Sequence, residues 1–130
     1  MDFALPTDLA GWLPFAAACV TILLGLAALF APRLTLSAIG LAPSAGSRDA
    51  LGGSRASLAG FWLGVGLIGA ALYDQPFVQL ALGAGWLMSA FGRLVSLLSD
   101  GNSLRASFYL LIELALAAAT LAPALGFLPS

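Results

Sequence analysis

The chain alternates long apolar runs with short polar connections, and this pattern indicates which elements to expect. Crossing the hydrocarbon core of a bilayer takes ~20 predominantly apolar residues in a helix, and four runs are long enough. We assign these spans to residues 11–30, 56–73, 77–98 and 104–121. The pattern therefore predicts an all-α integral membrane protein, a bundle of four antiparallel transmembrane helices that forms a single domain over residues 1–130.

Prolines and polar residues mark the ends of the predicted spans. Pro14 falls in the first turn of the first span, where proline is tolerated, and Pro123 marks the end of the fourth span. Residues 33–55 contain the longest polar stretch, rich in glycine and serine, so we expect a cytoplasmic loop there. Residues 100–103 are a turn that precedes the fourth span.

Composition excludes most soluble classes of protein. Apolar residues make up 61% of the chain and charged residues 8%, whereas a soluble domain carries about 25% charged residues. All five basic residues are scattered arginines, so nucleic acid is not an expected partner. The chain has no histidine, no lysine and a single cysteine, Cys19. We therefore expect no cofactor, no metal site and no enzymatic activity, since neither a nucleophile nor a ligand cluster is visible.

The arginines predict an orientation in the membrane. Basic residues collect in loops on the cytoplasmic side of a membrane. Arg33, Arg48 and Arg55 flank or lie in the first loop, and Arg93 and Arg105 flank the turn between spans three and four. Both chain ends and the turn between spans two and three contain no basic residue. The sequence thus predicts a multi-pass protein of the bacterial inner membrane with both termini in the periplasm.

Small residues recur at four-residue spacing along the spans. Gly60 and Gly64 form such a stripe on the second span, and Gly85 belongs to another on the third, with Ala81 and Ser89. Small residues let transmembrane helices approach closely, because the lipid supplies no hydrophobic force between them. We expect these glycines to pack against other helices of the same chain. The alternative is contact with another copy through Gly60 and Gly64, in a homo-oligomer or a larger membrane complex.

Two charged residues lie inside the spans and away from their ends, where charge is expensive and is by default a sign of function. Arg93 and Glu113 flank the short turn between spans three and four, and their side chains lean toward each other. Tyr109 lies four residues before Glu113 and is a candidate hydrogen-bond donor to it. The pair is expected either to fix the packing of the two helices or to bind an ion or anion.

Two tryptophans lie deep within their spans, unlike Trp12 near the start of the first. Trp62 and Trp86 occur beside small residues, so they either fill space opposite glycines or line a pocket for an apolar ligand such as a quinone or an acyl chain.

Two motifs resemble those of a bacterial four-span membrane family, called domain of unknown function 4345. The first motif is Arg55-Ala56, Ala59-Gly60, Leu63-Gly64 and Gly66-Leu67, and the second is Gly92-Arg93-Leu94, Asp100-Gly101 and Glu113. The resemblance covers nearly the whole chain and implies that Arg55, Arg93, Asp100 and Glu113 are the family's polar positions. It implies no activity.

These observations favour a small non-enzymatic membrane protein whose partner is the lipid bilayer. It would serve as an accessory subunit or a homo-oligomer, held together by the small-residue stripes and by the Arg93–Glu113 pair. The alternative is a small transporter or binder of an apolar or ionic ligand that uses these two side chains.

Overall fold

The computed structural model describes residues 4–38, 58–99, 101 and 104–127, and within these ranges it contains helices and no strand. The helices, in chain order, are α1 (Leu9–Phe30), α2 (Pro32–Ala38), α3 (Phe61–Ala71), α4 (Pro76–Ser99) and α5 (Leu104–Ala124). A π-helical turn at residues 58–60 leads into α3. The all-α class that the apolar pattern predicts is confirmed for the described part of the chain.

Three helical segments are long and apolar enough to cross a membrane: Leu9–Phe30, Pro76–Ser99 and Ala106–Ala124. The helix in the second predicted span is shorter than these three, and its described part is Leu58–Ala71. That is roughly 21 Å at 1.5 Å per residue, against a hydrocarbon core of about 30 Å. The remainder of that predicted span at its N-terminal end lies outside the described residues.

The first helix begins earlier than predicted because Asp8 caps it. The Asp8 carboxylate accepts a hydrogen bond from the Gly11 backbone N–H at 3.0 Å, and Asp8 itself has extended backbone angles. Such a cap satisfies a donor that the helix leaves unpaired. The predicted place of Pro14 in the first turn is wrong, since it lies inside the helix and is fully buried. There it removes one backbone hydrogen bond.

The last helix continues through Pro123 rather than ending before it. Gly126 ends the helix with a φ of 82°, a left-handed conformation that glycine adopts without steric penalty. The Phe127 N–H donates to the Ala122 carbonyl at 2.9 Å and the Gly126 N–H to the Pro123 carbonyl at 3.2 Å. These two bonds define a Schellman motif, which sets the end of α5 three residues beyond the predicted one.

The helices pack mainly as two pairs, α1 with α3 and α4 with α5, and α1 also contacts α5. Glycines allow the closest approaches. A Cβ atom placed on Gly66 would lie 2.9 Å from the Ile22 backbone nitrogen, and one on Gly25 would lie 2.9 Å from that of Leu63. Between α4 and α5, a Cβ on Gly83 would lie 2.6 Å from the Thr120 hydroxyl oxygen. Only hydrogen fits at these positions.

The distribution of side chains is the reverse of that in a water-soluble protein. Among the described residues, the buried apolar side chains are seven alanines and three large residues, Leu82, Trp86 and Leu116. Large apolar side chains instead cover the outside, and Phe77 is 85% and Leu104 90% exposed. This surface would be unfavourable in water, because each exposed apolar side chain forgoes the free energy of burial. It fits a hydrocarbon solvent, in which close packing of small residues holds helices together.

Candidate functional site

A hydrogen-bonded charge cluster joins α4 to α5. Glu113 is 5% exposed. One of its carboxylate oxygens accepts a hydrogen bond from Nε of Arg93, and the other accepts one from the Ser89 hydroxyl. Both oxygens of a nearly buried carboxylate thus have a donor, and the charge has an opposite charge beside it. This meets the condition under which a buried charge is tolerated.

The guanidinium of Arg93 also lies over an aromatic ring. Its central carbon is 5.3 Å from the centroid of the Tyr109 ring, within the range of a cation–π contact. The sequence suggests Tyr109 as a hydrogen-bond donor to Glu113, and the structure places its ring against the guanidinium of Arg93. The Arg93 side chain remains 24% exposed, compared with 6% for that of Glu113. Arg93 is therefore the accessible member of the pair.

The geometry of the cluster follows from helical spacing. Ser89 and Arg93 are one turn apart on α4, and Tyr109 and Glu113 are one turn apart on α5, so each pair shares a face of its helix. The short connection between α4 and α5 brings these two faces to the same level. Sequence reasoning included Ser89 only as a small residue in a packing stripe. Its four-residue distance from Arg93 was the available signal that it belongs to the charge cluster.

The glycines of the predicted packing stripes do not pack against the helices that the structure describes. Gly60, Gly64 and Gly85 are exposed. A Cβ atom placed on Gly64 or Gly85 would meet no other atom within 4 Å. The described helices therefore do not supply the partners that were expected for these residues. On α3 it is Gly66 and Gly69 that face α1, on the opposite side of the helix from Gly60 and Gly64.

The two deep tryptophans lie together. The rings of Trp62 and Trp86 are 6.4 Å apart between centroids and nearly parallel, with an angle of 22° between their planes. They line a cavity of about 260 Å³ between α3 and α4, with Val65, Ala81, Gly85 and Ser89 among the other lining residues. The absence of a side chain at Gly85 leaves this space open. Ser89 brings the charge cluster to its edge.

A buried hydrogen bond orients one of the two indoles. Nε1 of Trp86 donates to the Thr21 hydroxyl at 3.0 Å, and that hydroxyl donates to the Ala17 carbonyl at 2.8 Å. Trp86 is 8% and Thr21 1% exposed. The bond ties α4 to α1 in the core and holds the indole at the cavity wall. The sequence gives no distinct signal for it, since Thr21 there resembles any other small residue of the first span.

The cavity extends along the boundary between α3 and α4. A second space of about 330 Å³ shares Val65, Ala81 and Leu82 with the first and continues past Ile68 toward Phe77. The two spaces lie next to each other, where α3 and α4 contact each other far less extensively than the pairs α1–α3 and α4–α5 do. We call them together the α3–α4 cleft, whose lining on α4 lies between Phe77 and Ser89. The lining is mostly apolar and includes the hydroxyls of Thr21 and Ser89.

At the opposite end of the molecule, two side chains donate hydrogen bonds to backbone carbonyls. The Tyr73 hydroxyl donates to the Ala4 carbonyl at 2.6 Å, and Nε2 of the buried Gln79 donates to the Tyr73 carbonyl at 2.7 Å. These bonds attach the segment before α1 and the start of α4 to the turn after α3. A polar cavity of about 450 Å³ lies beside them, with Asp8 and Asp74 in its lining. It does not reach the charge cluster.

Two predicted polar positions, Arg55 and Asp100, lie outside the described residues. Within the described ranges, no group of three or more histidine, cysteine, aspartate or glutamate side chains is close enough to hold a metal ion. Among known proteins, no family model, no curated protein and no solved structure matches the chain.

Proposed function

We propose that the chain is a non-enzymatic integral membrane protein that acts as an accessory or self-associating subunit in a bacterial inner membrane. The observation that carries this proposal is the outward face of α3, which consists of Gly60, Gly64, Leu67 and Ala71. All four residues are exposed, and Gly64 has open space beside it. Among the described residues, no helix lies on this face, and a glycine-containing face of this kind is a surface on which a further transmembrane helix packs.

The state of Glu113 also supports an assembly role over transport. A transported ion or proton needs a carboxylate that water or substrate can reach. Glu113 is buried, both of its oxygens accept hydrogen bonds, and it lines none of the three cavities described above. A bonded pair of this kind sets the register of two helices, the best attested use of a buried ion pair. Membership of the resembled family stays a prediction.

We expect Gly60→Leu to weaken self-association or association with a partner helix. A leucine on the outward face of α3 would hold an approaching helix away, because close contact of backbones needs small residues. The measurement is the molar mass of the purified protein in mild detergent, by light scattering over a range of protein-to-detergent ratios. The mass of the variant should approach that of one chain.

The matched control for this experiment is Ala84→Leu. Ala84 is exposed on α4, on a face away from both α3 and α5. The substitution adds a leucine to the surface without altering the outward face of α3, so the molar mass of this variant should match that of the unaltered protein. Equal masses for all three proteins would contradict an assembly role for the outward face of α3.

The orientation is testable independently. If the arginines set the topology, both termini face the periplasm, and a phosphatase reporter fused after Ser130 should be active while a cytoplasmic reporter at the same place should be silent. A reporter within the loop of residues 33–55 should give the opposite result. Cytoplasmic activity at Ser130 would mean that the number of spans or the orientation is wrong.

The second candidate function is binding of an apolar ligand, and the α3–α4 cleft favours it. The cleft provides two stacked indoles and a volume suited to a hydrocarbon chain, and the hydroxyl of Ser89 lies at one end. Ligand sites are concave and mostly apolar, with few polar groups. This function and assembly share Gly64, which belongs to the outward face of α3 and also lines the second space of the cleft.

A further inference from the structure

We propose that the polar cavity at the end of the bundle where α1 and α4 begin binds a primary ammonium group. This cavity of about 450 Å³ has Asp8, Tyr73, Asp74 and Gln79 in its lining, and we call it the end cavity. Its volume lies within the range of small-molecule sites, about 300–1,000 Å³. The proposal depends neither on assembly through the outward face of α3 nor on a ligand in the α3–α4 cleft.

A buried amide oxygen without a donor carries the proposal. Gln79 is 6% exposed, and its Nε2 donates to the Tyr73 carbonyl at 2.7 Å. That carbonyl fixes the orientation of the amide, because the reversed amide would set two oxygens against each other. Both residues line the end cavity, which places the amide at its wall. No residue that the structure describes donates to Oε1 of Gln79. A buried acceptor in this state is unfavourable, so it indicates a further donor.

The charge around this amide is negative and unpaired. Asp8 and Asp74 are exposed residues in the lining of the end cavity. One oxygen of Asp8 caps α1, and within the described ranges neither carboxylate forms an ion pair. Of the arginines on the described helices, Arg33 follows the far end of α1. Arg93 lies fourteen positions beyond Gln79 on α4, roughly 21 Å away. A cationic ligand therefore meets two carboxylates without competition from these arginines.

The acceptors of the end cavity match a primary ammonium better than other cations. A primary ammonium has three N–H donors, and Gln79, Asp8 and Asp74 provide an acceptor for each. Hydrogen bonds between two charged groups are the strong ones, and the Tyr73 ring in the same lining is a favourable neighbour for a cation. A quaternary ammonium has no donor for the amide oxygen. A calcium or magnesium ion takes about six or more oxygen ligands, twice the number of these side chains.

The test is nuclear magnetic resonance of the full-length protein in mild detergent, with glutamine labelled by heavy nitrogen. The chain contains two glutamines, Gln75 and Gln79, so two side-chain amide signals are expected. Gln75 is exposed and is not in the lining of the end cavity, so it serves as an internal reference. On titration with ethylammonium chloride at constant ionic strength, the Gln79 signal should shift saturably. Tetramethylammonium should need a roughly tenfold higher concentration, because it cannot donate to the amide oxygen.

Three variants locate the site. Asp8→Asn and Asp74→Asn each remove one charge from the end cavity, and α1 keeps its cap because asparagine caps a helix about as well as aspartate. In each variant the midpoint of the ethylammonium titration should rise roughly threefold or more. Asp100→Asn removes the same charge next to the last residue of α4, at the other end of that helix. It should leave the midpoint unchanged.

Two lipids distinguish the source of the ammonium group. Phosphatidylethanolamine and phosphatidylcholine with identical acyl chains are added to the same micelles, and only the first carries N–H donors on its headgroup nitrogen. If the ligand is a lipid headgroup, phosphatidylethanolamine should saturate the shift of the Gln79 signal and phosphatidylcholine should not. If it is a soluble amine, ethylammonium should shift the signal and neither lipid should do so.

Three outcomes would overturn the proposal. Equal midpoints for the two ammonium salts would mean that the end cavity responds to charge alone. Saturation by magnesium chloride at a lower concentration than ethylammonium would mean a metal site. A Gln79 signal that no cation moves would mean that water alone satisfies the amide. The comparison of the two salts uses the unaltered protein and so does not depend on the folding of a variant, while circular dichroism checks that each variant is folded.

Discussion

Arg93→Leu alone is expected to destabilise the protein by about 3–5 kcal/mol, because it leaves the carboxylate of Glu113 charged and buried without its partner. Glu113→Leu leaves the positive charge of Arg93 without its partner. However, the Arg93 side chain is a quarter exposed and can extend toward the membrane surface. We therefore expect a smaller loss, about 1–3 kcal/mol, from the hydrogen bond to a charged group. The double replacement by leucine should recover much of the larger loss.

The measurement is the free energy of unfolding in mild detergent micelles, titrated with a denaturing detergent and followed by tryptophan fluorescence. Because the two residues are in direct contact, their effects should be strongly non-additive. If the loss in the double variant equalled the sum of the single losses, the ion pair would not be what joins α4 to α5 at this level. Which of the two single variants loses more free energy of unfolding is a separate check on the burial of the two charged groups.

Gly66→Ala is expected to have the second large effect, about 1–3 kcal/mol of destabilisation. The added methyl carbon would lie 2.7 Å from Cγ1 and 2.9 Å from the backbone nitrogen of Ile22. The side-chain atom can move aside, but the backbone atom can move only if α1 and α3 separate. That separation would weaken the most extensive contact of the N-terminal half of the described chain.

The control for this change is Gly92→Ala on α4, where an added Cβ meets no atom within 4 Å. Alanine is favoured over glycine inside a helix by up to about 1 kcal/mol, so this variant should be as stable as the unaltered protein or slightly more so. The two alanine substitutions should thus change the free energy of unfolding in opposite directions, and the same detergent titration measures both. A stable Gly66→Ala protein would show that α1 and α3 are farther apart than described.

Much of the fold was predictable because hydrophobic length is a local property of the sequence. The first, third and fourth apolar runs appear as helices within three residues of their predicted ends. The differences at the ends come from specific caps, the Asp8 carboxylate and the left-handed Gly126, which a count of apolar residues does not include. The contact of Arg93 with Glu113 was also predictable, since a short turn fixes the relative height of two helices.

The packing of the glycines was not predictable from spacing alone. On α3 both faces carry a pair of glycines, Gly60 with Gly64 on one side and Gly66 with Gly69 on the other. Four-residue spacing drew attention to the first pair, but α1 packs on the second. Which face meets α1 depends on the path of the chain between α1 and α3, about which the pattern of the helix itself says nothing.

The pairing of Arg93 with Glu113 also constrains how the chain enters a membrane. Glu113 lies ten positions into α5, so a translocon that released α5 by itself would have to move an unpaired carboxylate into lipid, at a cost of a few kcal/mol. If α4 is still beside it, Ser89 and Arg93 are within reach as soon as the connecting turn forms. We therefore expect α4 and α5 to partition into the bilayer together, as one hairpin, rather than one after the other.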